Sequence, residues 1–455
     1  MSITRSRHLI LVALVILVLV APAALAQSSV GSPRCMQGPM LGPVTDATAT
    51  VWARLSGEFP FRVGCALDAG LTDIIWSEPV TAQRDDDFIV VAKLEGLHPG
   101  TRYFYRVEVN GGNPAYLGGD AIGSFMTAPA PGTPAKFVVA YGSCGRVQRD
   151  PVQPIWNTVA NFAPHLFFWI GDNMYGDSLE PSILAEEYRR ARDVPNLQPV
   201  LRKVPQLAVW DDHDYGLNDH NRTNPIKEEA LEVFKAYWPN PSYGLPDAPG
   251  VFFTYSYGGV DFFFIDCRYY RDPNAEPDTP DKTFLGAEQL QWLKDVLAAS
   301  EASFKVIVSG SGWTAAKGEG GDSWAAFQHE RDALFEYIRT NEINGVILIS
   351  GDTHVGELNA IPWSEKGGYD FYDLVSSPLA QPASDNWRNR NPEVRLRPGF
   401  EKANVGILTF DLTGTPTLTF DLYDEEGNPA WEPFVITADE LQNGVQSYPG
   451  KIVME

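Results

Sequence analysis

Positive charge is what this chain lacks most. Against 58 Asp and Glu stand 35 Lys and Arg, a formal charge of −23 over 455 residues. That balance argues against nucleic acid or an anionic membrane surface as the main partner. Two catalytic signatures are also missing. No G-x-S-x-G elbow appears, and no phosphate-cradling Walker loop, so nothing points to a covalent enzyme intermediate or to that kind of nucleotide site. Internal repeats and low-complexity segments are absent. Cysteine is sparse, with four residues: Cys35, Cys65, Cys144 and Cys267.

Long apolar runs are wanting too, apart from Leu9 to Val20, which is short for a bilayer span. Arg5 and Arg7 precede that run, and Ala24-Leu25-Ala26 follows it as a small-x-small site. Residues 1–26 therefore read as a secretory signal peptide, with an uncleaved anchor as the alternative. The arginines are not adjacent, which leaves a twin-arginine signal unsupported, and no cysteine follows closely enough for a lipid anchor. Cleavage would leave a mature chain of charge −25, Arg5 and Arg7 having gone. The expectation is an exported protein, periplasmic or extracellular. In that oxidising setting Cys35–Cys65 is a candidate disulfide, with two buried thiols as the alternative. Cys267, ending "VDFFFIDC", reads as core.

What is present is ample core material: 44% hydrophobic and 12% aromatic residues, in a chain long enough for more than one domain. Up to about Met126 the pattern alternates as short strands do, in "ATATVWARL", "FRVGCAL" and "RYFYRVEVN". Residues 27–130 are therefore expected to form a small immunoglobulin- or fibronectin-like β-sandwich. "TAPAPGTPAK" reads as a linker. Beyond it apolar strands alternate with helical stretches, so residues 131–455 are expected to be a layered α/β domain closed by a β meander.

Polar clusters begin where the apolar strands stop: "GSCGR", "GDNMYGD", "DDHDYGLND" and "GDTH". Ligands of α/β sheets bind outside the carboxyl ends of strands. Loops carrying carboxylates, an amide, imidazoles and a thiol suggest metal ions. The densest is "AVWDDHDYGLND", where Asp211, Asp212, Asp214 and Asp219 crowd around His213. Singly, a "GD" is more often a turn and "SCGR" more often structural. The specificity lies in their joint order.

That order resembles the calcineurin-like metallophosphoesterase superfamily, and within it the PhoD-like alkaline phosphatases. Cys144 stands where the superfamily usually has D-x-H, and "DDHD" and "GDTH" replace its later blocks, departures that the PhoD-like branch shares. "SFMTAP", "IDCRYYR" and "HER" also look familial. The resemblance implies an α/β (α+β) four-layer sandwich, two β-sheets flanked by helices, behind the small β domain. It implies iron(III) beside one or two calcium ions, other divalent metals being an alternative. Cys144, Tyr175 and His354 match the iron ligands and Asp172 the bridging carboxylate. Asp211 and Asn218 match oxygen ligands on the calcium side, and Asp352 a further metal-binding aspartate. His213 matches the histidine that assists the leaving group, and Arg146 is placed to bind a phosphate oxygen.

The implied function is hydrolysis of phosphomonoesters, phosphodiesters or both by a metal-bound hydroxide, with cations offsetting the acidic crowding. Alternatives are a phospholipase D-type phosphodiesterase and a secreted binding protein that has lost turnover. Asp212, Asp214 and Asp219 are left between turn residues and a carboxylate that orients His213. Arg268 and Arg271 are left between substrate contact and surface pairing. His329 reads as structural, His220 and Asn173 carry no assigned role, and the oligomeric state is open.

Overall fold

The computed structural model describes residues 32–113 and 122–454; the expected signal peptide, residues 1–26, lies outside them. Strands β1 (Cys35–Val44), β2 (Ala49–Leu55), β3 (Pro60–Ala66), β4 (Ile75–Trp76), β5 (Val80–Thr81), β6 (Ile89–Leu94), β7 (Arg102–Val109) and β8 (Gly123–Met126) come first. They form two antiparallel sheets, β1-β2-β6 and β4-β3-β7-β8, with β5 beside β3. Alternate residues of β7 (Tyr103, Tyr105, Val107) face a shared core with Phe61, Val63 and Phe125. Period-two alternation thus yields the sandwich that the sequence pattern predicts. Cys35 and Cys65 lie on different sheets and no bridge joins them: the Cys35 thiol donates to the Gln37 carbonyl at 3.1 Å, and both residues are buried. The candidate disulfide is therefore not formed.

Next come β9 (Lys136–Gly142), α1 (Ile155–Phe162), β10 (Leu166–Ile170), α2 (Pro181–Arg192), α3 (Gln198–Lys203), β11 (Gln206–Val209), α4 (Asp212–Tyr215) and α5 (Lys227–Tyr237). β12 (Gly244–Leu245) and β13 (Ala248–Pro249) pair as a small ribbon, and β14 (Phe253–Tyr257) and β15 (Val260–Phe264) as a hairpin. Its two-residue loop, Gly258-Gly259, has φ of 59° and 90°, the conformation in which a tight hairpin turn favours glycine. α6 (Ala287–Ala299), β16 (Phe304–Val308), α7 (Gln328–Thr340), β17 (Val346–Ser350), β18 (Glu357–Ile361), β19 (Phe371–Val375) and β20 (Val394–Arg395) follow. β21 (Asn404–Asp411), β22 (Thr417–Asp424) and β23 (Phe434–Thr437) are the closing meander.

These strands make two large sheets, β11-β10-β9-β21-β22-β23 and β14-β15-β16-β17-β19-β18-β20. The parallel strands at each centre are buried on both faces, which is why "LFFWI" and "VILIS" are unbroken apolar runs. In β10, Phe168 faces the second sheet, its ring 4.9 Å from those of Phe262 and Phe264. Its neighbours Phe167 and Trp169 face outward onto Trp156 of α1, at 5.2 and 4.9 Å. On the far side Phe335 of α7 stacks on Phe371 of β19 at 4.1 Å. Helix, sheet, sheet and helix thus form the four layers. Among the described residues no helix is long and apolar enough to cross a membrane.

The first sandwich is packed onto the first large sheet. Met40 and Trp52 belong to the core of the two-sheet unit. Trp52 Nε1 donates to the Ala236 carbonyl at 2.8 Å, and Tyr105 Oη to the Arg202 carbonyl at 2.9 Å.

Candidate metal centre

Apart from Asn218, which follows α4, the candidate side chains leave the carboxyl ends of strands. Cys144 follows β9, Asp172 and Tyr175 follow β10, Asp211 and His213 follow β11, and Asp352 and His354 follow β17. The turns are sharp. Cys144, Asp172, Asp352 and His354 have φ of 61°, 50°, 66° and 53°, in the left-handed region that non-glycine residues seldom occupy. Such strain gathers where the surrounding fold over-determines a functional geometry. The glycine before Asp172 has a separate reason. A Cβ on Gly171 would stand 2.7 Å from Asp211 Cβ, so only glycine lets the β10 and β11 turns approach this closely.

Cys144, Asp172, Tyr175 and His354 meet at one point. Asp172 Oδ2 lies 3.3 Å from the Cys144 sulfur and 3.4 Å from Tyr175 Oη, which is 3.3 Å from His354 Nε2. Ligand atoms of Cys144, Asp172 and His354 fall within 4.8 Å of one another, and Asp172 also joins Asp212 and His213 in a second such group. Asp172 belongs to both, and Asp212 links the second group to a third with Asp219 and Asp322. The charges are placed at a cost. Burial, then the Asp352 carboxylate, pushes the Cys144 thiol up to about 11. Burial and the neighbouring Cys144 and Asp212 push Asp172 well above the usual carboxylate range, and burial with Cys144 and Asp172 does the same to the Tyr175 phenol. Asp172 Oδ1 and Asp211 Oδ2 are buried with no hydrogen-bond partner. Buried acceptors without donors, in a group of anions that repel, are arranged for positive charge. The donor set fits metal ions: thiol, phenol, carboxylate and imidazole on one side, carboxylate oxygens on the other.

The chain supplies some cations itself. Arg268 is wholly buried and binds Asp211 through Nε, with Asp212 at 3.5 Å and Asp322 at 2.7 Å. Arg271, also wholly buried, reaches Asp322 at 2.8 Å. Neither pairs at the surface, which corrects one of the readings left open for them. Burial pushes Asp211 to about 7 in spite of Arg268. Lys317 Nζ contacts Asp352 Oδ2. Arg146 lies over the Tyr175 ring, 4.7 Å from its centroid.

The acidic crowd of "DDHD" divides its labour. Asp214 is buried and accepts the backbone N–H of Asp211 (3.2 Å) and Asn173 (3.0 Å) and the Tyr188 hydroxyl (3.0 Å), so it fixes the turn from within. Asp212 accepts the Asp219 N–H at 2.8 Å. The carboxylate on His213 is none of the three suspected from sequence. It is Asp177, whose Oδ1 is 2.5 Å from His213 Nδ1. The signal for it was the second acid of "GDNMYGD". Burial disfavours a charged ring at His213, but Asp172 and Asp177 outweigh it and raise the group to about 10. The His213 ring lies 4.2 Å from that of Tyr175. Asn218 is exposed, and its amide donates to Asp219 at 2.8 Å. Asn173 donates to the Val209 carbonyl at 2.9 Å, tying the two turns. His220 accepts the Leu217 N–H at 3.2 Å, His329 is exposed beside Asp278, and Cys267 is core against Ser309.

Two sheets between helices, with candidate ligand groups at their strand ends, make a metallophosphoesterase-like fold. The family profile described as PhoD-like phosphatase matches residues 137–406, and the PhoD-like phosphatase N-terminal domain matches residues 20–129. The chain belongs to the PhoD-like phosphatase family. It is 25% identical to alkaline phosphatase D of Bacillus subtilis (strain 168) over 390 residues, 72% of this chain; the chain spans 64% of that relative's length. The solved structure of PhoD superposes with a TM-score of 0.76 at 18% identity, over 93% of this chain and 95% of the other. A purple acid phosphatase from yellow lupin (Lupinus luteus) seeds superposes with a TM-score of 0.61 at 14% identity, over 90% and 74%. Both share the fold.

Proposed function

We propose that the protein is an exported, metal-dependent phosphoesterase that hydrolyses phosphomonoesters, phosphodiesters or both. The observation that carries this reading is the shared carboxylate, Asp172, between the Cys144–His354 group and the His213 group. We assign iron(III) to Cys144, Asp172, Tyr175 and His354, a set with two potential anions besides the carboxylate, whose negative charge suits a trivalent ion. One or two calcium ions are assigned to the oxygen side, with Asp172, Asp211, Asn218 and Asp352. When bound, the metals supply Lewis acidity toward phosphoryl oxygens and lower the pKa of water.

The chain's own groups handle binding and the leaving group. Arg146, free of any carboxylate partner among the described residues, binds a phosphoryl oxygen. His213 has its Nδ1 on Asp177, which leaves Nε2 to give a proton to the departing oxygen. Residues 27–130 and 131–455 are proposed as the two domains, with residues 1–26 removed on export. The charge of −23 agrees with a partner other than nucleic acid.

The test is metal analysis of the mature protein, with visible absorption and hydrolysis of a chromogenic monoester and diester. Iron is expected, with a charge-transfer band that Cys144→Ala and Tyr175→Phe abolish along with activity. The preferred ester separates a phosphatase from a phospholipase D-type diesterase. A colourless protein, inactive on both esters with iron and calcium added, would favour the binding-protein alternative.

A further inference from the structure

The segment from Ala315 to Asp322 borders the metal centre and is tied to it twice. At one end Lys317 contacts Asp352 Oδ2, and its ammonium also donates to the Asp322 carbonyl at 3.0 Å. At the other end the Asp322 carboxylate accepts from Arg268 and Arg271, at 2.7 and 2.8 Å, and from Asn274 at 2.7 Å. Between them lie Gly318, Gly320 and Gly321, the first two with φ of 75° and 73°. The Lys317 side chain is 16% exposed.

The two ties differ in what a metal does to them. Asp322 also lies in a carboxylate group with Asp212 and Asp219, but Arg268, Arg271 and Asn274 already engage both of its oxygens. Lys317 instead occupies an oxygen of Asp352, two residues from His354. An ammonium and a multivalent cation compete for one carboxylate oxygen and repel each other at close range. A metal taking that oxygen therefore frees the ammonium. The lysine stem is flexible and the glycines yield, while Asp322 keeps the segment beside the site. Of the segment's two carboxylates, Asp322 is already filled and Glu319 is exposed to solvent, so the freed cation is open to the incoming anion.

We propose that Lys317 is a phosphate-binding residue of the metal-loaded site, held on Asp352 until a metal claims that oxygen. The inference rests on the phosphoesterase reading above. It gives the site a second phosphate ligand besides Arg146, carried on a different turn, and it couples metal loading to substrate affinity through one side chain.

The experiment compares wild type with Lys317→Gln, both folded by circular dichroism, in two calorimetric titrations. In the first, calcium is added to metal-stripped protein. In the second, inorganic phosphate is added to the metal-loaded protein. The variant should bind calcium more tightly, about fivefold, because no ammonium has to be displaced. It should bind phosphate more weakly, about tenfold or more, the usual cost of losing a charged hydrogen bond. Unchanged or opposite behaviour in either titration overturns the proposal. A wild-type protein that binds neither calcium nor phosphate would overturn the phosphoesterase reading itself, a result distinct from failure of the lysine alone.

Discussion

At the scale of single residues, His213 and Asp177 show how a site is completed by a group its motif does not contain. Four carboxylates sit within a few residues of His213, and none of them holds its ring. Asp177 does, from the β10 turn, at 2.5 Å. Sequence neighbours on α4 point their side chains around the helix, whereas a residue from a facing turn can aim at one ring nitrogen. Which carboxylate orients the histidine is thus fixed by the meeting of two turns, and proximity along the chain misleads. Asp177→Asn should leave metal at the Cys144 group in place, since the side chain Asp177 bonds is His213, which is not a member of that group. It should lower kcat by about 10–100-fold, the usual effect of removing a carboxylate behind a functional histidine. Metal content and kcat measured side by side check this; full activity in the variant would remove Asp177 from the catalytic apparatus.

At the scale of elements, the strand ends were legible because they join two unlike patterns. Apolar runs such as "LFFWI" fix buried parallel strands, and the polar turn that follows each one then lies at the same edge of a sheet. Which turns touch was not legible, since it depends on how the two sheets face each other. Gly171 records that contact. With φ at 101° and a virtual Cβ 2.7 Å from Asp211 Cβ, alanine there must push the β11 turn away. Gly171→Ala should destabilise the protein by about 1–3 kcal/mol and weaken calcium binding, read by melting and calorimetry; unaltered calcium affinity would separate Asp211 from the oxygen side. The turn after β22 gives a pH-dependent case. Burial would raise Asp424, but Lys402 at 2.6 Å and the Asn428 N–H at 2.8 Å prevail and hold it down at about 2. A depressed carboxylate contributes stability above its unfolded pKa, about 3.9, and loses it as pH falls through the folded value. Asp424→Asn should therefore cost about 1–2 kcal/mol at pH 7, with Lys402 discounted for its exposure. The gap in urea midpoints between variant and wild type should narrow from about pH 4 toward pH 2, and a gap independent of pH would refute the account.

At the scale of the molecule, the change from period-two alternation to alternating strands and helices marked where one pattern of packing gives way to another. It carried no sign that the two units share a core. Alternation says which residues of β2 face inward, but the sandwich has an inside of its own, and Trp52 turns away from it. Trp52 is wholly buried in the two-sheet unit's core, beside Tyr237 at 5.9 Å and under Arg192 at 5.1 Å, with its indole N–H on the Ala236 carbonyl. The first sandwich therefore braces α5 and α2, the helices that stand behind the "DDHD" turn, and Tyr188 of α2 bonds Asp214 inside that turn. Trp52→Ala removes the largest side chain at this junction and should cost about 3–5 kcal/mol, the range for truncating a buried tryptophan. Because the indole fills one unit's core from the other's strand, wild type should melt in a single calorimetric transition and the variant in one at lower temperature. Two separate transitions in the wild type, or a variant that loses only the sandwich, would show that the units fold independently and that the site does not depend on the brace.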